Sequence, residues 1–239
     1  DHIAFRSQEH KQAENFTKLF LSLAKDLRVI IIKFADRLNN METIEYLSSK
    51  KRKEIASETK EIFVPLAHRL GMASLKWRFE DLALKCLDLR SYNSIKKKIE
   101  GSSKSNQKIL ESTIAPVKKE LDSYKIQSDI SGRYKSISSI NRKIQLRNKK
   151  FEEIYDLYAI RIVVDKIEEC YLALGVIHSI YPPVQDRFKD FIATPKTNGY
   201  QSIHTTVMTK DNRLTEVQIR TKEMDYTAEV GVAAHWLYK

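Results

Sequence analysis

The apolar positions change their spacing once along the chain, near residue 126. Upstream, Phe16, Leu19, Phe20, Leu23, Leu27, Ile30, Ile31, Phe34 and Leu38 recur at three- and four-residue steps, the repeat that lines one face of an α-helix. The same period predicts a second helix over about 51–70, with Gly71 suited to the position just past its end and Pro65 expected to kink it. It predicts a third over about 73–87. Residues 91–124 turn rich in Lys and Ser, and GSSKSN at 101–106 reads as a linker into one more helix. Downstream, IQSDIS, AIRIVVD, SIHTTVM and TEVQIR read as strands, and SISSINRKIQ and EECYLALGVIHSI as helices. The expected class is α+β: an all-α segment over 1–100, a linker and connecting helix over 101–125, and a mixed-sheet domain over 126–239. Its core should come from Ile160, Ile162, Val164, Leu174, Ile177, Val207, Val217 and Ile219.

Charge narrows the partners. With 42 Lys and Arg against 31 Asp and Glu, the 239-residue chain carries +11 and a pI near 9.4, so some face of it attracts polyanions: nucleotides, nucleic acid or an anionic membrane. No apolar run approaches the roughly 20 residues that span a bilayer, and no signal-peptide pattern opens the chain. Cys86 and Cys170 lack CxxC spacing, which points to reduced thiols and a cytoplasmic setting rather than a disulfide framework or a zinc site. The first residue is Asp1 in a helical pattern, so the natural chain is expected to continue upstream.

Three polar islands carry candidate chemistry. In SGRYKSISSINRK, a strand ending at Ser131-Gly132 should run into a loop holding Arg133 and Lys135. A helix then begins near Ser136, with Ser139 and Lys143 on one face and Arg142 beside them. Helix-terminal amides, two loop cations and a helical lysine suit more than one phosphate, whereas alone they equally fit a solvated basic helix. Two carboxylates follow. Asp156 leads into AIRIVVD, and in EVQIRT the period of two puts Glu216, Gln218 and Arg220 on one strand face. That face is either open to water or the floor of a polar cleft. Paired with Asp156 beside a phosphate site, Glu216 would suit Mg²⁺, which prefers oxygen ligands; alone it also fits an exposed edge-strand acid. In PKTNGYQSIHTT, the TNG turn should expose Tyr200 and supply Lys196 and Asn198, with His204 next on a strand. Tyr200 could stack on a base or cap the core, and a histidine such as His204 is more often structural than reactive.

The strings GRYKSISSINRK, FEEIYDLYAIRIVVD, RFKDFIATPKTNGYQSIHTT, EVQIRT and AEVGVAAHW resemble the synthetase domain of the RelA/SpoT homologue family, enzymes of the bacterial stringent response. KFADRLNNMETIEYL and FVPLAHRLGMASLKWRFEDLALKCL are similar to the C-terminal half of that family's HD-type hydrolase domain. The resemblance covers essentially the whole chain. It implies a sheet like that of the DNA polymerase β nucleotidyltransferases. The implied reaction is transfer of the β,γ-pyrophosphoryl group of ATP to the 3′-hydroxyl of GDP or GTP, giving AMP and ppGpp or pppGpp. By resemblance, Arg133, Lys135 and Lys143 hold ATP phosphates with Ser139 in support. Asp156 is a magnesium ligand, and Glu216 joins the metal and activates the attacking hydroxyl. Tyr200 stacks on guanine, with Lys196, Asn198 and His204 on the acceptor nucleotide. The RFKD run at 187–190 resembles the bifunctional members, and Tyr134 stands where many members have proline. Contact with ribosome or tRNA would belong to regulatory regions outside this chain.

For the hydrolase, the resemblance implies a manganese ion held by two histidines, a His-Asp pair and a later aspartate. Asp36 matches that aspartate and Asn40 a nucleotide-contacting asparagine, both on the helix face opposite Phe34. None of the six histidines is followed by Asp, so the chain is expected to synthesise alarmone and not to hydrolyse it. Three other readings stand beside this one: a parent protein acting mainly as hydrolase over a weak or regulatory synthetase, a basic RNA-binding module, and a scaffold with a degenerate site. The RNA module predicts aromatics across a sheet face rather than paired carboxylates, and the scaffold predicts loss of Asp156 or Glu216.

Overall fold

The computed structural model describes residues 26–147, 151 and 158–231, and the chain divides into two compact units, Asp1–Ile55 and Ala56–Lys239. In the first, helix α1 spans Leu27–Glu42. Ile30, Phe34 and Met41 form its buried stripe, as the three- and four-residue spacing predicts; the upstream part of that stripe lies outside the described residues.

The helix expected over 51–70 is interrupted. Helix α2 (Ser49–Glu58) passes into a π turn, Thr59–Phe63, before α3 (Val64–Arg69). Pro65 explains the interruption: it has no N–H and its ring collides with the carbonyl four residues back, a conflict that one wider turn relieves. The end of α3 is as expected. Gly71 takes φ 74°, the Gly71 N–H donates to the His68 carbonyl and the Met72 N–H to the Ala67 carbonyl, the double closure that a left-handed residue allows. Helix α4 (Ala73–Leu87) follows.

Residues 101–106 are not a linker. The backbone is helical without a break in α5, Leu89–Ser123, a helix of 35 residues capped by the Asp88 carboxylate, which accepts from the Ser91 N–H. Gly and Ser are poor helix formers, yet both flanks of the segment are buried. Ile95 packs with Ile140 at one end, and Val117 and Leu121 enter the main core at the other. Packing at two ends outweighs the weak propensity between them. Because α4 and α5 also pack on elements of the sheet layer, the second unit starts well upstream of the boundary that composition suggests.

The sheet runs β1-β2-β5-β4-β3, built from Asp129–Tyr134, Tyr158–Val164, Leu214–Thr221, Ile203–Met208 and Lys189–Asp190. Only β2 and β5 are parallel. Helices α6 (Ile137–Arg147), α7 (Ile167–Ile180) and α8 (Lys222–Val230) complete the layer. Strand β1 lies three residues downstream of the expected position, because its register is set by pairing along β2, from Asp129 opposite Val163 to Tyr134 opposite Tyr158. Ile160, Ile162, Val164, Ile177, Val207, Val217 and Ile219 form the core as expected, with Leu174 partly buried against it. Gly132 lets β1 approach α5 closely: a Cβ there would come within 2.7 Å of Leu110 Cδ1 and oblige that side chain to shift. Among the described residues no helix is long and apolar enough to cross a membrane.

Candidate functional site

Strand β5 buries Val217, Ile219 and Thr221 on one face and turns Glu216, Gln218 and Arg220 to the other. The second face is the floor of a polar cleft and not an open surface. Gln218 and Arg220 line a cavity of about 190 Å³ together with Arg133, Lys196, Tyr200 and His204, and with Lys76 and Trp77 of α4.

Glu216 is the centre of the arrangement. Its Oε2 is 3.2 Å from Lys135 Nζ, and its Oε1 is 3.3 Å from His204 Nδ1 and accepts from Gln218 Nε2 at 3.0 Å. Burial alone would raise its pKa, yet the hydrogen bonds from His204 and Gln218 and the positive charge of Lys135 outweigh it and hold the carboxyl well below its ordinary value. His204 Nε2 meets the Tyr200 hydroxyl at 2.7 Å. One tautomer satisfies both contacts, with Nδ1–H donating to Glu216 and Nε2 accepting from Tyr200. A continuous polar chain therefore runs Tyr200, His204, Glu216, Lys135.

The candidate phosphate residues come from β1, the loop after it and α6. Arg133 sits on β1 itself, not in the following loop, and its guanidinium stacks 3.5 Å from the Trp77 ring. Burial, aided by the nearby Arg161, lowers its pKa to about 10. Lys135 occupies the loop, and Ser139 and Lys143 follow one turn apart on α6, as expected. The helix-terminal amides are not open to a ligand. Asp81 of α4 accepts from the Ser138 N–H at 2.7 Å and the Ile137 N–H at 3.4 Å, and Ser136 Oγ accepts from the Ser139 N–H at 3.3 Å.

The candidate acceptor residues come from the TNG turn and β4, and Lys196, Asn198, Tyr200 and His204 share the cavity with Arg133. Tyr200 is partly buried, packs edge-on against Phe191 and His204, and carries Lys196 Nζ 4.8 Å from its ring centroid. The TNG turn forms with Gly199 at φ 77°. Asn198 has a structural task within it: its amide donates to the His68 carbonyl at 3.1 Å, and its Oδ1 accepts from the Tyr200 N–H at 3.3 Å. Asp156 lies outside the described residues. Asp36 and Asn40, in the other unit, are exposed on α1, with Asn40 Nδ2 donating to Asp36 Oδ2 at 3.2 Å.

The partners of Arg220 escape sequence reading. Arg220, on the polar face that the period of two predicts, is 2% exposed and pairs with Asp225 and Glu229 of α8; Arg161 of β2 meets the same two acids at 3.4 and 3.1 Å. The available signal was the i, i+4 spacing of Asp225 and Glu229 just after a strand that turns an arginine inward. Among the described residues, Gln218 Oε1, Arg161 Nε and Arg220 Nε are buried without a hydrogen-bond partner, a polar surplus suited to a polar ligand.

Comparison with known proteins identifies what the chain is similar to. Residues 132–239 match the region found in RelA/SpoT proteins, and residues 3–73 match the HD domain. A probable guanosine-3′,5′-bis(diphosphate) 3′-pyrophosphohydrolase of Synechocystis sp. is 46% identical over 98% of this chain and 31% of its own length. A GTP pyrophosphokinase of Myxococcus xanthus is 43% identical over 98% of this chain and 31% of its own. The bifunctional (p)ppGpp synthase/hydrolase SpoT of Escherichia coli is 42% identical over 100% of this chain and 34% of its own. The chain thus spans about a third of the length of the curated relatives it matches.

Proposed function

We propose, from the premise that this chain belongs to the RelA/SpoT family, that its second unit transfers the β,γ-pyrophosphoryl group of ATP to the 3′-hydroxyl of GDP or GTP. The observation that carries the reading is Glu216 standing between a phosphate-seeking lysine, Lys135, and the Tyr200–His204 pair on the acceptor side. A transfer site needs that order: donor polyphosphate, proton acceptor, acceptor nucleoside.

In the reaction, the acceptor 3′-oxygen bonds to the β-phosphorus of ATP. The bond from that phosphorus to the α,β-bridging oxygen breaks, and AMP leaves with the electron pair. The hydroxyl proton passes to Glu216. The hydrogen bond from His204, the charge of Lys135 and the hydrogen bond from Gln218 together make the resting carboxyl a weak base. ATP phosphates that draw Lys135 onto themselves would remove one of these influences and raise the proton affinity of Glu216 in part. Arg133, Lys143 and Ser139 complete the donor side. Tyr200 offers its ring to guanine, and His204 holds both Tyr200 and Glu216 in orientation.

By family resemblance Asp156, joined by Glu216, would hold an oxygen-preferring divalent ion, Mg²⁺. Such an ion would neutralise charge on the polyphosphate. The family match also supports a cytoplasmic setting. The HD-domain match over 3–73 favours a further activity for the longer protein, Mn²⁺-dependent alarmone hydrolysis, to which Asp36 and Asn40 would contribute.

Incubation with ATP, GDP and Mg²⁺, followed by nucleotide separation, tests the main reading. AMP and ppGpp should appear in equal amounts; AMP without ppGpp, or neither, would overturn it.

A further inference from the structure

All of helix α4 after its first residue lies between the two family matches, in the stretch after residue 73 and before residue 132 that neither covers. Two of its side chains, Trp77 and Asp81, are four residues apart and so share one face. Both reach the same short segment of the sheet layer. Trp77 covers the guanidinium of Arg133 at the end of β1, and Asp81 accepts from the Ile137 and Ser138 amides that open α6. Between these two anchors lies Lys135, the cation paired with Glu216. The opposite side of α4 is fixed independently, by burial of Phe79 and Ala83 and by Phe63 packed edge-on to Phe79 at 6.1 Å. At its first turn, the Ser74 hydroxyl donates to the Glu229 carbonyl of α8 at 3.0 Å.

We infer that Trp77 and Asp81 are positioning residues for the donor-phosphate segment, clamping it at both ends from a helix outside the matched synthetase region. The physical argument is one of competing acceptors. The first amides of a helix are a ready anion seat, and here a protein carboxylate fills it, so the phosphates must be held by side chains of the intervening loop. Those side chains can act only if the loop is held. Asp81 holds its C-terminal end through two amides, while Trp77 holds its N-terminal end by stacking on a planar cation, a contact that strengthens when the cation is desolvated. Burial raises the Asp81 pKa and the two amide hydrogen bonds oppose that rise.

This inference rests on the transfer reading for the identity of the donor, and its test is arranged to fail separately. The affinities of the intact 239-residue chain for a non-hydrolysable ATP analogue with a methylene α,β-bridge and for GDP are measured by calorimetry, beside hydrogen exchange at single amides. Asp81→Ala should weaken the analogue about tenfold, the equivalent of about 1.4 kcal/mol and within the range of a lost helix cap, while GDP affinity stays within about twofold. The Ile137 and Ser138 amides should exchange faster, with β4 and β5 unchanged. Trp77→Ala should act in the same direction, and Trp77→Phe, which keeps an aromatic face, should restore most of the affinity. If Asp81→Ala does not fold, Asp81→Asn, which retains one acceptor oxygen, should show the same selectivity at about threefold. Equal weakening of both nucleotides, or an unchanged analogue affinity, would overturn the clamp. A wild-type chain that binds the analogue but forms no ppGpp would break the transfer reading and leave the clamp intact.

Discussion

Asp36 and Glu216 are both carboxylates with an amide side chain as neighbour, and they end in opposite circumstances. On α1, Asp36 meets Asn40 one helical turn on, in water. On β5, Glu216 meets Gln218 two residues on, but the strand face is roofed, and Lys135 and His204 arrive from the β1–α6 loop and β4. The local chemistry is nearly the same. Enclosure separates the two, because charge interactions gain strength as water is excluded, and the neighbours of Glu216 hold its carboxyl well below its ordinary pKa. A carboxylate at a family position is therefore half of a site; the other half is the set of groups that folding brings to it.

The most direct way to sharpen that contrast is Glu216→Gln. The amide keeps the shape and the Gln218 neighbour but can neither take up the hydroxyl proton nor carry charge, so turnover should fall by about 10²–10⁴-fold while nucleotide affinities hold. More than about half of wild-type turnover would remove Glu216 from the chemistry. Next in size is Tyr200→Ala. Loss of base stacking, worth about 1–3 kcal/mol, should raise KM for GDP about 5- to 150-fold with much less effect on ATP; equal effects on both would return Tyr200 to the core.

A smaller effect should appear in acid stability. The folded pKa of Glu216 lies below the unfolded value, so as the pH falls the unfolded chain binds the proton first. The stabilisation from ionised Glu216 is present above the ordinary carboxylate range and lost below it. The Tm advantage of wild type over Glu216→Gln should thus be greatest near neutrality and shrink as the pH drops through about 4.5 towards 3. An advantage that does not change with pH would show that the carboxylate is not held by its neighbours. Asp36→Asn should do least: an exposed substitution of this kind shifts stability by under about 0.5 kcal/mol. With Mn²⁺ and ppGpp the chain should release no pyrophosphate, since a metal centre needs several ligands fixed in mutual geometry. Metal-dependent release that disappears in Asp36→Asn would place a working hydrolase centre on this chain.

Periodicity made much of this molecule legible. The strands around Ile160, Val207 and Val217, the helices α6 and α7, and the single face shared by Glu216, Gln218 and Arg220 follow from spacings of two and of three to four residues, and these are local properties. The motif residues Lys135, Tyr200, His204 and Glu216 were also legible, and the fold brings them into one polar chain. Other features have no local signature. The helix through 101–106 depends on cores at both of its flanks, and the π turn before Pro65 absorbs a clash that composition registers only as a kink. The Asp81 cap on α6 and the Trp77 stack on Arg133 join residues 56 or 57 positions apart. The cluster of buried Arg220 with the partly buried Arg161, Asp225 and Glu229 draws on β2, β5 and α8. Sequence alone determined which residues could carry the chemistry and which face of each element they occupy. Tertiary structure decided which of them meet, because pairing and burial depend on contacts between segments far apart in the chain, where no periodic pattern reaches.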